Sequence, residues 1–174
     1  MALGLSLFAG CTTEMSHEKK ADSVPAEVKQ MPAEFADMKY AEIGRKMIAS
    51  LADGDMAGYL FGYAENAVYQ FNNGDSLAGK PAISEYWTKR RTEFLDSLIF
   101  SNEIWLPIKV NQPQSVEAPG VWLLGWYQVN AKYKTTGKWM VQWMHIDMHF
   151  DANDKIDRIV HYVDRAPINA ALAK

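Results

Sequence analysis

The chain has 174 residues, 48% of them apolar and 12% aromatic, with 18 Lys and Arg against 21 Asp and Glu for a net charge of −3. That length and composition suit one domain with a sizeable core, while the acidic balance argues against nucleic acid as a partner, whose phosphates ask for a basic surface. A single cysteine excludes an internal disulfide framework, and no apolar run reaches the roughly 18 residues of a membrane-crossing helix.

Residues Ala2 to Gly10 are uncharged and mostly apolar or small, like the end of a secretory signal's hydrophobic region. The run Leu7-Phe8-Ala9-Gly10-Cys11 resembles the bacterial lipobox, in which a small residue stands just before a cysteine. The resemblance implies a signal peptide end at 1–11, a diacylglycerol on Cys11 and cleavage that makes Cys11 the new N-terminus. It also implies a lipid-anchored place in the bacterial cell envelope. Thr12 rather than Asp after the cysteine points to the outer membrane, facing the periplasm. Residues 12–36 are polar, charged and interrupted by Pro25 and Pro32, and read as a flexible tether between the anchor and the domain that follows.

From residue 37 to 170 the pattern is that of a folded domain. Ile43, Met47 and Leu51, with Ile48 beside them, form one apolar stripe on a helix. Asp53-Gly54-Asp55 ends it and offers Asp55 as the cap of a second helix. Val68, Tyr69 and Phe71 are strand formers before an Asn73-Gly74 turn. A third helix begins after Gly79, with Pro81 in its first turn and Ile83, Trp87 and Phe94 roughly on one side. "SLIFSNEIWLPIKV", "GVWLLGWYQVNAKY", "KWMVQWMHIDMHF" and "IDRIVHYVD" are strands, the middle two joined by Lys134-Thr135-Thr136-Gly137 and the last two by "DANDK". Helices followed by a run of antiparallel strands make an α+β pattern.

Three stretches in this order, "SLADGDMAGYLFGYAENAVYQF", "LAGKPAISEYW" and "HFDANDKIDRIVHYVD", resemble the nuclear transport factor 2-like superfamily and, within it, SnoaL-like proteins. The resemblance spans Tyr40 to Asp164. It implies a cone: three N-terminal helices packed on a strongly curved antiparallel sheet, enclosing a pocket, with a homodimer formed through the outer sheet face. The superfamily holds isomerases, dehydratases, cyclases and epoxide hydrolases, so fold alone does not name a reaction. Aligned on the Gly54-Asp55 break, the Ala67 strand and the Phe150-Asp151 turn, the three acid-base roles of the steroid isomerases fall on Met47, Phe71 and Ile146. None of these moves a proton. A one-residue slip would bring Asp147 to the place of Ile146.

Strand parity between Lys138 and Phe150 puts Met140, Gln142, Met144, Ile146, Met148 and Phe150 on one face, which looks like core, with Gln142 as a ligand contact. The other face ends in a ladder, His145-Asp147-His149, with members about 7 Å apart. His145 and Asp147 could work as a base with its orienting carboxylate. The ladder could also bind a metal with help from other segments, or lie on a solvated or dimer-facing surface; no metal site is assigned. By alignment to the family, Ile159 and Val163 line the cavity, so His161 points inward, where it packs as a core residue or serves proton transfer or ligand recognition. Tyr69, Trp87 and Trp105 are pocket candidates, while Trp139 and Trp143 suit a dimer interface. Lys89, Arg90 and Arg91 read as the wet face of the third helix. No phosphate loop, nucleophile elbow or cofactor motif is present.

Three readings follow. The first is a membrane-anchored domain binding a small, largely apolar or aromatic molecule. The second is a SnoaL-like lyase, isomerase or hydrolase using His161 or the His145–Asp147 pair. The third is a structural, dimeric envelope protein.

Overall fold

A computed structural model describes residues 30–115 and 118–173. Cys11, the signal-like stretch and the tether up to residue 29 lie outside the described residues. The apolar stripe around Met47 becomes α1 (Lys39–Asp53), which buries Met47, Ile48 and Leu51 and leaves Ile43 half-buried at the stripe's margin. Gly54 closes α1 with φ of 80°, a left-handed geometry that glycine adopts without steric cost. Asp55 then caps α2 (Met56–Phe61) by accepting the Gly58 N–H at 2.9 Å.

After β2 (Tyr63–Phe71) and the short β3 (Ser76–Ala78), α3 (Lys80–Lys89) buries Ile83 and Trp87. A single π-helical turn, Arg90–Phe94, extends it. The wider turn shifts the phase of the helix. Phe94 ends half-buried, and only Lys89 of the basic trio is fully exposed. Arg91 instead donates to the carbonyls of Leu51 at 3.2 Å, Ala52 at 2.9 Å and Leu95 at 3.3 Å, satisfying the C-terminal end of α1. The wet-face expectation for Arg91 is therefore corrected.

The remaining strands are β4 (Leu95–Val110), β5 (Gly120–Tyr133), β6 (Trp139–Phe150) and β7 (Ile156–Tyr162), with β1 (Ala33–Phe35) paired along the far end of β4. The seven-stranded order is β1-β4-β5-β6-β7-β2-β3. Neighbours run antiparallel except β2 and β7, which are parallel. A hairpin forces opposite directions, but β2 meets β7 without one, because α3 carries the chain from β3 to the β4 side of the sheet. Register shifts bend the sheet: the largest lies in β2 between Tyr63 and Val68, and a smaller one lies in β4 between Ser101 and Ile104, where Asn102 takes φ of 53°. This α+β architecture, with helices on a strongly curved sheet, matches the expectation.

Three elements escape the sequence pattern. β1 and β3 are three residues each, too short to display an alternation, and β1 falls inside the segment read as tether. The third is α4 (Arg165–Leu172), whose N-cap Asp164 accepts the Ala166 N–H at 2.8 Å and which buries Ile168 and Ala171. An Asp followed by Pro167 in the first turn was the available signal for it.

Candidate functional site

The concave face of the sheet encloses a cavity of about 190 Å³. Its floor is built from alternate positions of the inner face: Tyr69 and Phe71 of β2, Tyr127 and Val129 of β5, Met140, Met144 and Ile146 of β6, and His161 of β7. α1 adds Met47 and Ile48, α3 adds Tyr86 and Trp87, and α4 adds Ile168 and Leu172. Met47, Phe71 and Ile146, where an isomerase would hold its acid-base groups, all line this space with apolar atoms. Among the described residues its wall contains two cations, Arg90 and Arg165, and no carboxylate.

His161 points inward as expected, because residues of one parity on β7 face the helices. The parallel register sets it beside Phe71, and its Nδ1 lies 2.8 Å from the Tyr69 hydroxyl. Burial pushes its imidazolium down to about 3, and the nearby Arg90 guanidinium adds repulsion. The ring is therefore neutral at physiological pH. Burial also holds the Tyr69 phenol well above its ordinary value. Trp87 meets Tyr59, Tyr69 and Tyr86 edge-on, with centroids 5.8, 5.7 and 5.3 Å away. Two polar atoms in this nest, Trp87 Nε1 and His161 Nε2, are buried without a hydrogen-bond partner among the described residues. Arg90 donates to the Tyr133 hydroxyl at 3.4 Å, and Arg165 is held by Asp75 at 3.0 Å.

Two expected pocket residues lie elsewhere. Trp105 is set against Gly44 and Gly125, where its ring separates α1 from β5 and its Nε1 donates to Glu103 at 2.9 Å. It stands behind the cavity wall and packs against Tyr127, which lines it, with ring centroids 5.8 Å apart. Gln142 does face inward between Met140 and Met144, with its amide buried and without a partner among the described residues, but stands back from the cavity wall.

His145 and Asp147 do not face the cavity either. They sit on the outer face, paired across the strands with Trp126 and Leu124, and no slip brings Asp147 inward. His145 Nδ1 donates to the Gly125 carbonyl at 3.0 Å, and Nε2 lies 2.8 Å from Asp147 Oδ1. Both nitrogens thus lie against oxygens of the fold. Burial raises the Asp147 carboxyl against the opposing pull of His145. The imidazole is stacked on Trp126 at 4.4 Å and lies 5.3 Å from Tyr162. His149 leaves the ladder for Asp157, at 2.6 Å, and the Pro119 carbonyl, at 3.0 Å. Beyond them Trp139 and Trp143 are 52% and 53% exposed on the same face, with Ile99, Ile104, Val141 and Tyr162.

No family model matches this chain, and no curated protein matches it. Solved structures do. A candidate isomerase from Bacillus subtilis is 21% identical, with 76% of this chain and 91% of that one covered and a TM-score of 0.60. A candidate polyketide cyclase from Xanthomonas campestris is 14% identical, covering 78% and 98% with a TM-score of 0.63. A nuclear transport factor 2-like protein from Burkholderia xenovorans is 16% identical, covering 80% and 100% with a TM-score of 0.55. The likeness establishes the fold that the sequence resemblance implied.

Proposed function

We propose that the cone pocket binds a small, largely apolar molecule, and that a lipid on Cys11 holds the domain at a bilayer. The observation that carries the binding reading is the cavity itself: about 190 Å³, apolar and aromatic, without a carboxylate in its described wall. Cavities of about 150 Å³ already take benzene, so this one suits a molecule of one or two rings. An open cavity also speaks against a purely structural role.

The second reading is a SnoaL-like isomerase, lyase or hydrolase, in line with the isomerase and cyclase named among the structural neighbours. The unpartnered Nε2 of His161 favours it. A base must hold a proton for part of the cycle, however, and an imidazole pushed down to about 3 does so poorly at neutral pH. Binding without proton transfer is the better-supported reading.

Native mass spectrometry of protein from its own host tests these claims together. The expected spectrum carries a non-covalent organic adduct that leaves on unfolding. Protein that arrives empty and takes up no hydrophobic dye overturns the binding reading. Replacing Cys11 with alanine is expected to move the protein from the membrane to the soluble fraction. Unchanged attachment removes the lipid anchor.

The outer sheet face supports a homodimer. Trp139, Val141, Trp143, Ile99, Ile104 and Tyr162 are each about half exposed there, and a self-complementary apolar sheet face closes best on a second copy of itself. Trp143→Glu is expected to convert a dimer into a monomer in sedimentation velocity. A wild-type protein that sediments as a monomer at micromolar concentration would rule this interface out.

A further inference from the structure

A cavity that held only hydrocarbon would have no use for buried nitrogens left without a partner, yet two of the rings in this wall carry one. Trp87 is 9% and His161 5% exposed, both rings line the cavity, and neither Trp87 Nε1 nor His161 Nε2 has a partner among the described residues. The indole N–H is a donor and nothing else.

The role of the histidine nitrogen follows from its neighbour. A neutral imidazole carries one proton. If that proton sat on Nδ1 and pointed at the Tyr69 oxygen, the Tyr69 O–H would lack an acceptor and the Nε2 lone pair would be stranded as well. With Tyr69 donating to Nδ1 across 2.8 Å, the hydroxyl and Nδ1 are both satisfied, and one group remains: Nε2–H. The second arrangement strands fewer buried polar groups, each of which costs about 1–3 kcal/mol when left unpaired. Tyr69 thus fixes the tautomer and makes His161 a donor. The two rings stand 6.5 Å apart between centroids, tilted by 31°. A carbonyl oxygen has two lone pairs and takes hydrogen bonds at about 3 Å on each.

We propose that the ligand of this pocket is a neutral apolar molecule bearing a carbonyl oxygen, which accepts hydrogen bonds from Trp87 Nε1–H and His161 Nε2–H. The proposal deepens the binding reading above and rests on it. The same geometry assigns Tyr69 as a positioning residue, acting through His161 rather than on the ligand.

A matched pair of probes, the ketone 1-indanone and its hydrocarbon indane, tests this by isothermal titration on the full-length protein. The quantity to read is the ratio of the indane Kd to the indanone Kd. Comparing that ratio between wild type and variant cancels ring size and the cost of taking the ketone from water. The ratio is expected to fall roughly tenfold in Trp87→Phe and again in His161→Phe, the worth of one buried hydrogen bond each. The C=O stretch of bound indanone, read by difference infrared spectroscopy, is expected to shift to lower frequency in the wild type. This readout needs no variant and stands if either substitution fails to fold. Binding of both probes with equal ratios in all three proteins and an unshifted stretch overturns the carbonyl proposal and leaves the pocket reading intact. Failure of both probes to bind overturns the two together.

Discussion

Truncating Trp105 to alanine is expected to lower the free energy of unfolding by about 3–5 kcal/mol, the cost of emptying a large aromatic site in a core. The ring is 7% exposed and fills the gap between α1 and β5. Both floors of that gap are glycines. A Cβ on Gly125 would stand 2.3 Å from Trp105 Cζ3, and one on Gly44 would stand 3.0 Å from the same atom. No side chain is therefore available at either position to swing into the space, and only the neighbours Leu123 and Ile146 or the helix itself could close the void. The converse substitution follows from the same contact. Gly125→Ala in the wild type is expected to cost about 1–3 kcal/mol by overpacking, and much less in a Trp105→Leu background, where the clashing carbon is gone. Urea titrations of the two single variants and the pair, at constant m-value, measure the coupling. A Trp105→Ala cost below about 1 kcal/mol would show that the indole is not the wedge. Indanone affinity in Trp105→Phe is expected to equal that of the wild type, since the residue stands behind the cavity rather than in its wall.

Lowering the pH from 7 to 4 is expected to remove about 3 kcal/mol of stability through His161 alone. The imidazolium of the unfolded chain titrates at its ordinary 6.5, whereas the folded site holds it at about 3. Between those values the unfolded state binds the proton and the native state does not. Stability is thus complete above about 6.5 and declines as the pH falls toward 3. The cause is burial first and the Arg90 charge second. Carboxylates held below their ordinary values by hydrogen bonds and ion pairs, such as Asp154 beside Lys39 and Tyr40 and Asp75 beside Asn73 and Arg165, add their own acid limb. They are common to wild type and His161→Phe, so the informative quantity is the difference between the two profiles. The variant is expected to lose less stability than the wild type from pH 7 to 4. Superimposable profiles would show that the folded site leaves the His161 imidazolium at its ordinary value.

Much of the fold was legible before the coordinates. The α1 stripe, the Gly54 stop, the Asp55 cap, the third helix after Gly79 and the four long strands stand where period and turn chemistry put them. The inward and outward faces of β6 also follow from parity alone, with Met140, Ile146 and Met148 buried while Trp139 and Trp143 stand half exposed. Shorter elements were silent, because three residues carry no period. The π turn was silent too, since its effect is a phase shift of Arg90 and Arg91 that the basic run "KRR" does not encode.

For the site, the family alignment pointed His161 inward, and aromatic residue type made Tyr69 and Trp87 pocket candidates, because residue order and type are properties of the chain itself. Tertiary structure alone decided the rest. Whether an aromatic ring lines a cavity or fills it depends on what stands opposite, and Trp105 faces two glycines that lie 61 and 20 positions from it in Gly44 and Gly125. Whether a histidine is free depends on the partners the fold sets beside it: His145 finds the Gly125 carbonyl of the neighbouring strand and Asp147 of its own, while His161 finds a phenol 92 residues away and keeps one nitrogen without a partner among the described residues. Burial and pairing are sums over distant neighbours, and only the closed fold supplies them.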